Sequence, residues 1–265
     1  MMPKYVCPNP GAWSTFGIRE RLDAAHGAMR ESPVRNQVEF RYVEVKEKYE
    51  LRDGDSVSGV GVVIHTEHVT VNWSDLESKT ASRTLECISR IRQGVLVHAV
   101  ELHSGVNVTY DQLLSAVIAV RARLGGDDAW VVLENRPNHK LCDGVTMKEF
   151  LEHAGKKGVG PSQKLGLSLD VHELFAQCPE RSRFLEQLKV LLRLMPKFIH
   201  IYGRDHHTEP KLDDPSYTLP WPDVFDLLRQ AVERGLDTAI LPEVLDPGKI
   251  KPTVEFCQRG LRNEF

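Results

Sequence analysis

The chain has 265 residues, of which 41% are hydrophobic and 27% charged, an ordinary balance for a folded globular protein. A formal net charge of −3 leaves no global basic field to hold a polyanion, although a local patch could still bind phosphates. No apolar run approaches the roughly 20 residues needed to span a bilayer, so no membrane partner is expected. The N-terminus lacks the charged-then-apolar order of a signal peptide. Cys7, Cys87, Cys142, Cys178 and Cys257 are dispersed and contain no CxxC pair. That pattern predicts reduced thiols and a cytoplasmic localisation rather than a disulfide framework or a thiolate zinc site.

Residues 4–8 (KYVCP) read as a short strand, cut off by Pro8, Pro10 and Gly11. Residues 18–29 are helix-like, with Ile18, Leu22, Ala25 and Met29 on one face. Residues 37–45 (QVEFRYVEV) alternate polar and apolar side chains as a second strand, and the charged, Asp-, Gly- and Ser-rich residues 46–58 read as a loop. The third strand, residues 60–64, ends in His65, Glu67 and His68. SDLE at residues 74–77 has the spacing of a capping box and predicts a helix over 74–92. A fourth strand, residues 95–102 (VLVHAVEL), ends at His103-Ser104-Gly105. Residues 110–124 carry the apolar stripe Leu113, Leu114, Val117, Val120 and Leu124, a helix stopped by Gly125-Gly126.

The fifth strand, residues 130–133, ends in Glu134-Asn135, and a helix follows from Thr146 to Gly155. Residues 164–169 lead into Asp170-Val171-His172-Glu173 as the sixth strand end, and residues 180–195 are helical. The segment PKFIHIYGRDHH (196–207) sets a short seventh strand, 198–202, around His200, then places Asp205, His206 and His207 after Gly203. Residues 221–234 form a helix with Pro222 in its first turn and Gly235 as its stop. The last strand, residues 238–241, ends in Glu243. Eight strands alternating with helices over this length predict an α/β protein, one (β/α)8 TIM-barrel domain spanning residues 1–265.

In such barrels functional groups gather at the C-terminal ends of the strands. Here those ends carry His65 or His68, His103, Glu134, Asp170 with His172 or Glu173, His200, Asp205 with His207, and Glu243. Six consecutive strands therefore end in a residue able to bind a divalent cation, with donors that suit zinc, manganese or iron. A lone His at a strand end is more commonly a hydrogen-bonded structural residue; it is the recurrence that points to metal. Glu134 and Glu243 follow strongly apolar strands, where an unpaired carboxylate would cost several kcal/mol to bury. His98, inside the fourth strand, is expected to pack against the helix layer, and His26, His139 and His153 to lie on the surface. No phosphate-loop or GxSxG pattern occurs.

These residues resemble the xylose-isomerase-like TIM barrels, and among them the endonuclease IV family of apurinic-site nucleases, over residues 65–247. His103-Ser104-Gly105 resembles the family's HPG, and Leu133-Glu134-Asn135 its LEN. LDVHELFAQ at residues 169–177 is similar to LDTCHLFAAG, Asp205-His206-His207 to the family's D-x-H, and His200 and Glu243 fall where strand-end His and Glu are expected. The resemblance implies one to three zinc or similar ions. The chain also departs from the family: CPNPGAW replaces a glycine-rich opening with a His, and neither His65 nor His68 has the usual spacing to Asn72. Glu173 stands where a His is usual, and the loop between His200 and Asp205 is shorter.

The function so implied is metal-dependent phosphodiester hydrolysis, at abasic sites in DNA, with clustered ions activating a water and clamping the phosphate. Glu134 and Glu243 would be the catalytic carboxylates. Asp170, His200, Asp205 and His207 would complete the metal shells and His103 would hold a further ion. Arg136, Arg204 and Trp73 would contact the substrate from loops. The alternative is a sugar isomerase or epimerase with one ion on Glu134, Asp170, His200 and Glu243, acting on a small sugar or phosphorylated substrate. A barrel without catalytic activity is the third reading, which the altered sixth-strand motif keeps in play.

Overall fold

The computed structural model describes residues 4–9, 15–35, 38–66, 71–125, 128–213 and 218–265. Glu67, His68, Gly126, Gln37 and the Pro10-Gly11 stop lie outside the described residues. Eight parallel strands pair in chain order: β1 (Lys4–Cys7), β2 (Glu39–Lys46), β3 (Gly61–His65), β4 (Val97–His103), β5 (Trp130–Glu134), β6 (Leu165–Asp170), β7 (Phe198–Ile201) and β8 (Ala239–Pro242). The barrel closes where Lys4 and Tyr5 of β1 pair with Ala239 and Ile240 of β8. Eight helices surround it: α1 (Ile18–Ala28), α2 (Lys79–Gly94), α3 (Tyr110–Leu124), α4 (Gly144–Lys156), α5 (Val171–Gln177), α6 (Arg181–Arg193), α7 (Trp221–Glu233) and α8 (Ile250–Leu261). The fold is therefore the (β/α)8 barrel that the strand pattern predicts. No helix among the described residues is long and apolar enough to cross a membrane.

The two-residue period of each strand sorts its side chains. On β4, Val100 and Leu102 join the large core beneath the helices, whereas Ala99 belongs to a separate interior layer with Val6, Val63, Val132, Phe198 and Leu241. That layer plugs the barrel and supports the groups at its C-terminal mouth. Apart from the outer part of β2, where Arg41 is exposed, the strands are buried on both faces, so polar residues within them stand out.

Four elements differ from expectation, the first being the short helix α5, which follows β6 directly where only a strand end is expected. Helix α2 begins at Lys79, where Ser78 caps it by accepting from the Ala81 N–H. Upstream, Asn72 accepts from Ser74 and Asp75 from the Glu77 N–H, so short polar side chains hold residues 72–77 in turns instead of a capping box. Helix α8 went unpredicted because Pro252 in its first turn and Gly260 near its end obscure the apolar period. It packs on α7 through Phe256 and Phe225, ring centroids 5.8 Å apart. His98 does not join the helix layer. The β3–β4 register shifts between Val62 and Val63, and this bulge turns His98 into the barrel's N-terminal mouth, stacked on Tyr42.

Candidate metal centre

The strand registers bring ligand-type residues to one level at the C-terminal mouth. Lys46 pairs with His65, His65 with Glu101, His103 with Glu134, and Asp170 with His200. Glu243 follows β8 directly, its N–H donating to the Ile201 carbonyl at 3.2 Å. Asp170 both ends β6 and caps α5, accepting from the Glu173 N–H at 2.8 Å, and Asn135 bridges its backbone N–H and carbonyl. Its carboxylate is thus held by two elements at once.

His200 lies at the centre, fully buried. Its Nδ1 is 2.9 Å from Glu243 Oε2 and 4.0 Å from Glu134 Oε1. Its Nε2 is 3.0 Å from Glu101 Oε1 and 3.2 Å from Ser168 Oγ. One ring nitrogen therefore faces the mouth and the other an orienting carboxylate, the arrangement by which proteins aim an imidazole at a metal. Tyr202 donates to Asp170 at 3.2 Å. Beside this group the Nε2 atoms of His65 and His103 are 3.0 Å apart, with Glu134 Oε2 3.3 Å from the first and 3.6 Å from the second. His65 Nδ1 lies 3.0 Å from Glu44 Oε1, which also pairs with Lys46 at 2.9 Å.

The electrostatics follow from five carboxylates (Glu44, Glu101, Glu134, Asp170 and Glu243) sharing one buried space. Burial opposes charge on His65, as does Lys46, yet bonds to Glu134 and Glu44 raise its pKa to about 10. Burial also opposes the His200 imidazolium, and Glu101, Glu134 and Glu243 overcome it and raise its pKa well above the usual value. Burial would raise Glu243, but His200 and His206 draw it well below the carboxylate range. Asp170 moves the other way, raised first by burial and then by Glu134. The cluster thus draws protons onto the nitrogens that a divalent cation would use, and binding such a cation would release them. The donor atoms form overlapping groups within 4.8 Å, among them Asp170, His200 and Glu243; Glu101, Glu134 and His200; and His65, His103 and Glu134. In composition and spacing the residues present fit a divalent metal.

Of the residues singled out by sequence, the structure assembles His65, His103, Glu134, Asp170, His200 and Glu243. His172 sits in α5 and stacks on Tyr202 at 4.7 Å, while Glu173 faces Arg136 at 3.5 Å. Asp205 accepts from the His207 N–H at 2.9 Å, and the His207 side chain is exposed. Its neighbour His206 takes the inward position instead, Nε2 3.5 Å from Glu243 and ring stacked on Tyr202 at 4.2 Å. Arg204 is exposed beside Asp205, and Trp73 is almost wholly buried in the core, although it lines a pocket with Ser104, Gly105 and His139. His139 is only half-buried, yet it accepts from the Gly105 N–H and meets the His103 ring edge-on at 6.2 Å, so it borders the site. Sequence reading missed Glu44, Lys46, Glu101 and His206. The signal for two of them was present: counting back two residues from His103 reaches Glu101, an acidic residue on the inward face of an apolar strand, and Glu44 precedes Lys46 in the same way.

No protein-family model and no curated protein matches the chain by sequence. Solved structures match it in fold. An L-ribulose 3-epimerase superposes with a TM-score of 0.66 at 14% identity, covering 98% of this chain and 94% of that one. A xylose-isomerase-like TIM-barrel protein from Mycobacterium smegmatis, in complex with magnesium, gives 0.62 at 12% identity over 99% and 97%. Endonuclease IV from Thermus thermophilus gives 0.61 at 13% identity over 98% of both chains. The chain has the fold of the xylose-isomerase-like TIM barrels, a fold shared by sugar epimerases and an endonuclease IV.

Proposed function

We propose that the chain is a divalent-metal-dependent isomerase or epimerase of a small sugar. The observation that carries this is the convergence of Glu134, Asp170 and Glu243 on the His200 imidazole, while Asp205 and His207 turn away. Those four residues would hold the ion, and three carboxylates with one imidazole suit a hard cation such as manganese or magnesium as well as zinc or iron. Bound there, the ion would polarise a sugar carbonyl and acidify the C–H beside it. Glu134 on β5 and Glu243 after β8 approach that point from different walls of the mouth. One carboxylate takes the proton from the carbon next to the carbonyl, and the other returns a proton, to the opposite face for epimerisation or to the neighbouring carbon for isomerisation. Glu101 fixes the His200 ring and Tyr202 fixes Asp170, so the site is held before substrate arrives.

Phosphodiester hydrolysis is the second reading, and one observation favours it: His65 and His103, sharing Glu134 with the first group, form a three-donor set that could hold a second ion. The deciding experiment incubates metal-loaded protein with a panel of ketoses and aldoses in D2O, with an abasic-site DNA duplex in parallel. Deuterium should enter the carbon next to the carbonyl, and exchange should fall at least a hundredfold in Glu243→Gln. Nicking of the duplex with no exchange into any sugar would replace this reading with the hydrolytic one.

A further inference from the structure

The opposite end of the barrel carries a cluster that this reading leaves unused. At the N-terminal mouth the rings of Tyr42 and His98 stack with centroids 4.3 Å apart. Lys197 and Lys164 each set an ammonium over the Trp130 ring, 4.3 and 5.2 Å from its centroid. Lys4 stands at the same mouth, paired at 2.8 Å with the exposed Asp237. Lys4, Tyr42, His98, Trp130, Lys197 and Asp237 line a cavity of about 140 Å³ that Phe198 also borders. The interior layer containing Phe198, Ala99 and Leu241 separates it from the metal centre.

The backbone is shaped around this cavity in three places. A Cβ on Gly166 would fall 3.1 Å from Lys197 Cγ and 3.2 Å from Trp130 Cε3, so the missing side chain lets the lysine stem cross the indole. A Cβ on Gly61 would fall 2.8 Å from His98 Cβ and 3.2 Å from Tyr42 Cδ1, so a second strand glycine makes room for the stack. The β3–β4 bulge turns His98 inward. Lys164 takes a left-handed φ of +57° as it caps the 3-10 turn Pro161–Gln163, its N–H donating to the Pro161 carbonyl, a conformation that a non-glycine residue adopts at a cost.

The charge is unbalanced. Asp237, the one carboxylate lining this cavity, is paired with Lys4; among the described residues no carboxylate forms an ion pair with Lys164 or Lys197, whose ammoniums both lie over the Trp130 ring. Burial, and after it the positive charge of Lys164, Lys4 and Lys197, holds His98 down to about 4, so its ring is neutral at pH 7 and able to exchange a hydrogen bond. Cation–π contact leaves an ammonium's remaining N–H groups free for an anion.

The geometry points to a binding site for a phosphate group at this N-terminal mouth, held by Lys197 and Lys4 in the cavity, with Lys164 adding positive charge from its place over the Trp130 ring. A cavity of this size takes a tetrahedral oxyanion, either free phosphate or the terminal phosphate of a small phosphorylated metabolite reaching in from solvent. Calorimetric titration of metal-loaded protein at low ionic strength, with inorganic phosphate and separately with glucose 6-phosphate, tests it, using chloride as the control for screening. Saturable binding is expected, weakened at least about tenfold in Lys197→Met and in Lys164→Gly and unchanged in Glu243→Gln. Lys164→Gly relieves the left-handed strain and should fold at least as well as wild type, so it decides the matter if Lys197→Met does not fold. Tighter binding of the sugar phosphate assigns the site to a phosphorylated metabolite, and equal or tighter binding of inorganic phosphate assigns it to the free ion. No saturable binding of either probe, or binding that keeps its affinity in both lysine variants, overturns the proposal.

Discussion

Glu101→Gln isolates the residue that orients the central imidazole. Glu101 is fully buried and reaches His200 Nε2 at 3.0 Å, while the other ring nitrogen faces Glu134 and Glu243. The substitution keeps shape and volume, so no cavity opens. It removes the charge that keeps a proton on Nε2 and leaves Nδ1 as the lone-pair donor. Loss of such an orienting partner costs about 10- to 100-fold in metal affinity, or about 1.4 to 2.8 kcal/mol. At saturating metal that difference appears as lost stability. A chain of 265 residues has an unfolding entropy that converts it to about 2 to 5 °C in Tm. The assay is thermal unfolding of wild type and Glu101→Gln, each with excess metal and with chelator, together with metal Kd by chelator competition. Subtracting the chelated shift removes whatever the mutation costs the apo fold by leaving a buried imidazolium less well paired. The metal-linked stabilisation should shrink by the stated amount and Kd should rise in step. Equal Kd in both proteins, with all of the Tm loss surviving chelation, would show that Glu101 supports the fold and not the metal ligand.

The inward turn of His206 predicts that His206→Ala loosens Glu243 and lowers metal affinity several-fold, whereas His207→Ala leaves it unchanged; the reverse order would restore the Asp-x-His reading. His98 supplies a pH prediction. Its folded pKa of about 4 lies below the usual value for an unfolded His, so between those limits the unfolded chain binds the extra proton and stability falls as pH falls from about 6.5 to 4. The linked loss is about 2 to 3 kcal/mol, and His98→Phe, which keeps a ring against Tyr42, should flatten that limb of the Tm–pH curve. An unaltered limb would place the titration elsewhere. Gly260→Ala would press a Cβ into the Phe225 ring, closer than real carbon contacts come, so it should destabilise by about 1 to 3 kcal/mol in chemical denaturation. A neutral result would mean that α7 and α8 separate at little cost.

Strand ends were the most legible part of the site, because a His or carboxylate closing an apolar run is conspicuous. His103, Glu134, Asp170, His200 and Glu243 were found in that way. Helix α3 was legible at both ends, since Thr109 and Gln112 form a capping box and Gly125 takes a left-handed conformation. Glu44 and Glu101 were less visible because they lie within strands, and only the barrel's inward register converts them from surface alternation into site residues. The choice between His206 and His207 depends on a turn. The Gly203 N–H donates to the Thr208 carbonyl at 2.8 Å and Asp205 captures the His207 N–H, which together rotate the pair. Residue spacing carries no record of that rotation. His98 was misplaced for a similar reason, since one bulge residue inverts the face on which a strand side chain emerges.

Metal content per chain tests the central claim most directly. Protein purified without chelator, measured by elemental analysis, should carry one divalent ion. Occupancy should fall sharply in Glu243→Gln and stay at the wild-type level in Asp205→Ala, because Glu243 faces His200 whereas Asp205 is committed to its own turn. A chain that binds no divalent metal, or one whose occupancy is unaffected by Glu243→Gln, would contradict the account.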